Sequence, residues 1–202
     1  LVGSEMCIRD RIGAVALLEK YHADVVLYDS SDKLTKEDLE AKLPGESKAV
    51  CIAGELPEEV ELSIQAAVLS PGVPTDIPLV NRMRDRGVQI LGEIELGFLA
   101  EQGRVIAITG TNGKTTTTTL TGEIMKAHFG EEKTFVVGNI GNPYTLEVTK
   151  TSKDSVTVGE ISSFQLETIH TFHPVVSAIL NITPDHLNRH HTMEAYVAAK
   201  EA

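Results

Sequence analysis

The sequence predicts an α/β protein built on parallel sheets, and three observations carry that prediction. Short apolar, β-branched runs recur along the chain, separated by helical or loop-helical segments. One of them closes on Ser70-Pro71-Gly72 at its carboxyl end, which is where open parallel sheets bind ligands. Another, residues 105–109 (Val-Ile-Ala-Ile-Thr), is apolar without alternation and runs straight into Gly110-Thr111-Asn112-Gly113-Lys114-Thr115-Thr116.

In chain order, residues 12–21 read as an amphipathic helix and 23–29 as a buried strand ending at Asp29. A polar Lys/Glu-rich segment (30–47) precedes a strand at 49–53. An acidic stretch (55–61) then leads to a strand at 66–70. A helix near 78–86, a short strand at 88–91 and a boundary at Gly92 complete a first unit, residues 1–92. A linking helix at 93–100 opens a second, residues 93–202. Its strands are expected at 105–109, 134–137, 155–160 and 175–182, the last one buried, with a helix over 193–202. The threonine run 115–119 is a weak helix former, so packing and bound phosphate are expected to stabilise that helix.

Residues 1–11 carry no helical or strand period and join abruptly to the helix at Ile12. They resemble a translated sequencing-adapter peptide, so we read them as non-native and draw no function from them. Composition bounds the rest. With 42% hydrophobic and 23% charged residues, the chain is an ordinary globular protein of one large or two small domains. A formal charge of −11 argues against nucleic acid or an anionic membrane as partner, but leaves room for a local basic pocket. No apolar run approaches the roughly 20 residues of a membrane helix, and no secretory leader is visible, which makes the cytoplasm the default compartment. Cys7 and Cys51 are too few for a disulfide framework or a zinc site.

The chemistry concentrates after residue 105. Gly110 and Gly113 let backbone N–H groups converge on phosphate oxygens, Lys114 supplies a cation to the β/γ-phosphates, and the Thr115 hydroxyl is placed for Mg²⁺. The full G-x-x-x-x-G-K-[ST] pattern would need glycine at 108, where the chain has Ile108, so the match is to a shorter form. Gly138-Asn139-Ile140-Gly141 reads as a glycine turn after a strand. Glu160 ends a strand, either as a Mg²⁺ carboxylate or as a helix cap. Asp185 and His186 sit past another strand end, in a metal-proximal place. His190 and His191 are expected in an exposed loop, and Lys200 on its helix is ordinarily a solvated charge.

These clusters, in this order, resemble the Mur ligases: Thr109 to Thr115, Gly138 to Gly141, Glu160 with Ser162-Ser163-Phe164-Gln165-Leu166-Glu167, Asn181 to His186 and Tyr196 to Lys200. Ser70-Pro71-Gly72 and Gly92-Glu93-Ile94-Glu95-Leu96 fit the first domain of such an enzyme. The resemblance implies a Rossmann-like, parallel-sheet N-terminal domain followed by an incomplete P-loop α/β ATPase domain. It also implies a cytoplasmic ADP-forming ligase using ATP and two Mg²⁺ ions, monomeric in full-length form. The Ser-Ser-Phe-Gln-Leu-Glu string implies the branch that adds D-glutamate to UDP-N-acetylmuramoyl-L-alanine in peptidoglycan precursor synthesis.

By the same resemblance, Gly110 to Thr116 hold nucleotide, with Lys114 on the β/γ-phosphates. Thr115, Glu160, His186 and a carbamylated Lys200 serve the metals. Asn139, Ser162, Asp29, Ser30, Ser70, Pro71 and Gly72 contact the nucleotide-sugar. Where the family has an N-terminal strand and glycine-rich loop, this sequence has residues 1–11, and it ends two residues after Lys200. A D-glutamate-binding C-terminal domain is therefore expected outside the chain, and the chain alone is expected not to ligate. Two alternatives stay open, another Mur-type or folylpolyglutamate-type amide ligase and a non-catalytic P-loop module. The Asn-Lys-x-Asp motif of a GTPase does not occur.

Overall fold

In the computed structural model, which describes residues 2–3 and 8–202, the strands form two all-parallel sheets. The first contains β1 (Val2–Gly3), β2 (Val26–Asp29), β3 (Val50–Ala53), β4 (Ala66–Leu69) and β5 (Gln89–Gly92), in the order β3-β2-β1-β4-β5. The second contains β6 (Arg104–Thr109), β7 (Thr134–Gly138), β8 (Val156–Glu160) and β9 (Val176–Ile179), in the order β7-β8-β6-β9. The connections between strands carry helices, as parallel pairing requires, and two more helices follow β9. They are α1 (Ile8–Lys20), α2 (Lys36–Glu40), α3 (Glu58–Ser63), α4 (Pro78–Asp85) and α5 (Glu93–Ala100), then α6 (Lys114–Phe129), α7 (Tyr144–Glu147), α8 (Ser163–Leu166), α9 (Leu187–His190) and α10 (Met193–Glu201).

Local chemistry sets several boundaries. A reciprocal capping box between Thr35 and Asp38 starts α2, and Pro78 occupies the first turn of α4, where its missing N–H costs nothing. Gly113, at φ +82°, turns the chain into α6.

The two sheets share a core. One buried apolar cluster joins Leu17 of α1, Val68 of β4 and Leu91 of β5 to Val105, Phe135 and Tyr144 of the second unit. Helix α5, the first element of the second unit, is held to the rest of that unit by carboxylates. Buried Glu93 accepts from the backbone N–H and hydroxyl of Thr145 (2.7 and 2.9 Å), and burial pushes its carboxyl up to about 7. Glu95 accepts from the amides of His170, Thr171 and Phe172 and from the Thr171 hydroxyl. Burial alone would raise the Glu95 carboxyl, but those four donors hold it below its ordinary value.

Several expectations are corrected. Val2–Gly3 pairs in parallel with both β2 and β4, and the first helix begins at Ile8 rather than Ile12, so part of the stretch read as structureless lies inside the first sheet. The rest of that reading, and Cys7 with it, lies outside the described residues. Cys51 is buried and free. The expected buried strand at 175–182 is instead the exposed edge strand β9, shorter than predicted, with Val175 and Val176 more than half exposed. An apolar run looks the same in the centre of a sheet and at its rim, and only strand order separates the two. The single-turn helices α7, α8 and α9 were not foreseen, and α9 takes in His190, which was expected in a loop.

Candidate active site

Four strand ends of the second sheet converge. Strand β6 lies between β8 and β9, so the segment 110–113 leaves the sheet flanked by Glu160 on one side and Asn181 on the other. Two glycines make the loop possible. Gly110 sits at φ +149°, and a Cβ there would come within 3.1–3.3 Å of Leu180 and the Asn181 backbone. Gly113 needs its left-handed conformation rather than space.

Asn181 braces the loop from β9. Its backbone carbonyl accepts from the Thr111 amide at 2.9 Å, its side-chain oxygen accepts from the Asn112 amide at 2.9 Å, and its side-chain amide donates to the Asn112 carbonyl at 3.0 Å. The Thr111 hydroxyl donates to the Thr183 carbonyl (3.1 Å) and lies 3.0 Å from the Tyr196 hydroxyl. Sequence reasoning passed over Tyr196 and Asn181 as site residues. A signal for the first existed: Tyr196 stands four residues before Lys200, on one helix face.

Two lysines meet at the loop. Lys114 Nζ donates to the carbonyls of Gly110 (2.9 Å) and Thr111 (3.0 Å). Lys200 Nζ donates to the same Gly110 carbonyl and to Thr109 Oγ1, both at 3.1 Å. Lys200 is buried. That burial and the charge of Lys114, partly opposed by Asp185, pull its amine down to about 8. The solvated-charge reading of this helix lysine is therefore corrected by the packing of α10 against the loop.

Glu160, 1% exposed, holds the other side. One carboxylate oxygen accepts from Thr115 Oγ1 and the other from Asn139 Nδ2, each at 2.8 Å. The Asn139 amide also donates to the Glu160 carbonyl at 2.9 Å, which fixes β7's end against β8's. The Thr115 hydroxyl and the Glu160 carboxylate thus form a pair of oxygen ligands at the start of α6, with Asn139 orienting the carboxylate. Such a set suits Mg²⁺, which takes one or two protein ligands and completes its shell with water and phosphate. Among the described residues no group of three or more His, Cys, Asp or Glu would cage a metal unaided.

His186 is half-exposed in a left-handed conformation (φ +52°). Its ring lies 3.5 Å from Asp185 and 4.8 Å, centroid to centroid, from the Phe164 ring. Ser162 caps α8, exchanging hydrogen bonds with Gln165 in a second capping box, so its hydroxyl has a local structural partner. Thr116 is exposed in the first turn of α6. In the first unit, Asp29 is buried and paired with Arg11 at 2.7 Å, Ser30 is exposed, and Ser70 is buried at the turn containing Pro71 and Gly72. The expectation of an exposed His190 is corrected. It is 6% exposed, with its Nε2 2.9 Å from Ser163 Oγ and Phe164 and Tyr196 packed near its ring, and burial lowers its pKa. His191 is exposed, as expected.

Parallel sheets with a glycine–lysine phosphate loop at a strand's carboxyl end define an α/β protein of the P-loop type. Residues 108–202 match the family model described as the Mur ligase middle domain. Over 190 residues, 94% of its length, the chain is 60% identical to the UDP-N-acetylmuramoylalanine--D-glutamate ligase of Lachnospira eligens. It is 47% identical to the protein of that name from Clostridioides difficile. In each case it spans 42% of the relative's length. The crystal structure of UDP-N-acetylmuramate-alanine ligase from Thermotoga maritima shares the fold, with a TM-score of 0.54 at 20% identity over 98% of this chain and 45% of that one. Residues 108–202 thus match the Mur ligase middle domain, and over 94% of its length the chain is similar to ligases of that family. Among its described residues no helix is long and apolar enough to cross a membrane.

Proposed function

We propose that the chain carries the nucleotide and nucleotide-sugar sites of a cytoplasmic, ATP-dependent ligase that adds D-glutamate to UDP-N-acetylmuramoyl-L-alanine. Residues 1–92 serve the nucleotide-sugar and 93–202 the ATP. The observation that carries this reading is the convergence on one loop of Lys114, Lys200 and the Thr115–Glu160–Asn139 set. The high identity to D-glutamate ligases supports the choice of amino acid.

A carboxylate does not condense with an amine in water, because it is a poor electrophile. In the proposed reaction, the substrate carboxylate oxygen attacks the γ-phosphorus of ATP, and ADP leaves with the bridging oxygen. The resulting acyl phosphate is attacked by the D-glutamate amine, which loses a proton, and the tetrahedral intermediate expels inorganic phosphate to leave an amide. The residues described here act mainly by positioning and charge neutralisation, as phosphoryl transfer demands. Backbone N–H groups from Gly113 to Thr116, at the α6 N-terminus, receive the phosphates, while those of Thr111 and Asn112 are held by Asn181 and shape the loop. Lys114 exchanges its two carbonyl partners for phosphate oxygens. Thr115 and Glu160, and His186 at a second site, would hold Mg²⁺, which supplies charge stabilisation to the transferring group. Lys200, with its lowered pKa, is suited to lose a proton and add CO2 as a carbamate, becoming an anionic metal ligand. Asn139, Ser162, Asp29, Ser30 and the Ser70-Pro71-Gly72 turn are assigned to the nucleotide-sugar.

Calorimetric titration of the chain with ATP and Mg²⁺ tests the phosphate assignment. Lys114→Ala should weaken ATP at least about tenfold, the loss of a charge-assisted bond, and leave UDP-N-acetylmuramoyl-L-alanine affinity within about twofold. Unchanged ATP affinity would remove Lys114 from the phosphate site.

A further inference from the structure

We propose that Arg189 is a positioning residue that clamps the Ser70–Val73 turn of the first unit to the His186 segment of the second, holding the nucleotide-sugar in register with the phosphate loop. This rests on the functional reading above. Arg189, on α9, reaches in two directions. Its Nη2 donates to the Val73 carbonyl at 2.9 Å, across 116 residues of sequence, and the same guanidinium grips the Glu167 carboxylate through Nε (3.2 Å) and Nη2 (2.5 Å). Both side chains are about 85% buried, which places the pair beyond the weak regime of surface salt bridges. Val73 in turn donates its amide to the Ser70 carbonyl at 2.9 Å, so fixing the Val73 carbonyl fixes the turn.

The second arm is aromatic. The Arg189 guanidinium carbon lies 5.2 Å from the Phe164 centroid, and Phe164 in turn packs on the rings of His186 (4.8 Å) and His190 (5.6 Å). Displacing Arg189 therefore loosens the Ser70 turn and the support of His186 together. The Ser70 hydroxyl oxygen is buried without a hydrogen-bond partner among the described residues. It lines the small cleft shared by Phe164, Gln165 and Arg189, where a polar group without a partner is costly. A lysine cannot replace this arrangement in full, since a single ammonium lacks the planar fork that serves carboxylate and carbonyl at once.

The chain and its Arg189→Ala, Arg189→Lys and Glu167→Gln variants would be titrated separately with UDP-N-acetylmuramoyl-L-alanine and with ADP plus Mg²⁺. Hydrogen exchange would be followed at amides 72–75. Arg189→Ala should weaken the nucleotide-sugar about tenfold, the scale of one buried charge-assisted contact. It should raise exchange at the turn and leave ADP within about twofold, with Arg189→Lys intermediate. Nucleotide-sugar affinity unchanged in Arg189→Ala, or an equal loss for both ligands, would overturn the clamp and leave Arg189 as fold support. Glu167→Gln keeps the side-chain shape and carries the same test if Arg189→Ala does not fold. If the parent chain bound ADP but no nucleotide-sugar, while the turn still opened in Arg189→Ala, the functional reading would fall and only the contact would stand.

Discussion

Gly138 holds φ at +99°, and a Cβ on it would lie 2.3 Å from the Glu160 carbonyl oxygen. Both the backbone and the space therefore demand glycine, at the point where β7 hands Asn139 to Glu160. Gly138→Ala should destabilise the fold by about 3 kcal/mol, combining left-handed strain with overpacking. Urea unfolding measures this, and a loss under about 1 kcal/mol would show that the neighbouring backbone relaxes freely. At this scale the glycine turn from β6 into α6 was legible, because glycines at that spacing have a local conformational reason. Asn181 and His190 were not. Their roles depend on which strand lies beside β6 and on what α8 packs against, and neither is local information.

Among the elements, α3 and α4 are joined by Glu61, whose carboxylate accepts from Arg82 (3.0 and 2.7 Å) and Arg86 (2.8 Å). These bonds draw its pKa down to about 2 from an ordinary value of 4.5. A depressed carboxyl pKa stabilises the fold fully above pH 4.5, and the contribution is lost as pH falls toward 2. The parent chain should therefore lose more stability than Glu61→Gln across that window and behave in parallel with it above pH 5.5. Parallel curves throughout would deny the ion pairs a thermodynamic role; the half-exposed Arg82 keeps the expected effect modest. Most strands could be read from their apolar runs, and α1 and α4 as helices, whereas α2 and α3 lie in stretches read only as polar and acidic. The exceptions were β1, too short to carry a period, and the burial of β9, since a strand's neighbours are assigned by topology rather than by its own residues.

For the molecule as a whole, β9 leaves one rim of the second sheet open, with Val175, Val176 and Ile179 exposed on or beside it. An apolar edge strand is a template for pairing with a second chain. Sedimentation at tens of micromolar should show self-association of this chain, and Val176→Lys should reduce it several-fold; a strictly monomeric parent would contradict this. The other large-scale feature is the apolar cluster that draws on both sheets, with α5 pinned by Glu93 and Glu95 to Thr145 and to the segment 170–172. Mechanically, the shared apolar cluster couples the two halves, because turning one against the other would expose buried apolar surface. A rotation of one against the other would also break the Gly92–Thr168 backbone bond and the His170–Ile90 contact that run between them. Ligands must then be met by side chains and loops inside an already stiff frame, and the small-angle scattering radius of the chain should stay the same when nucleotide is added.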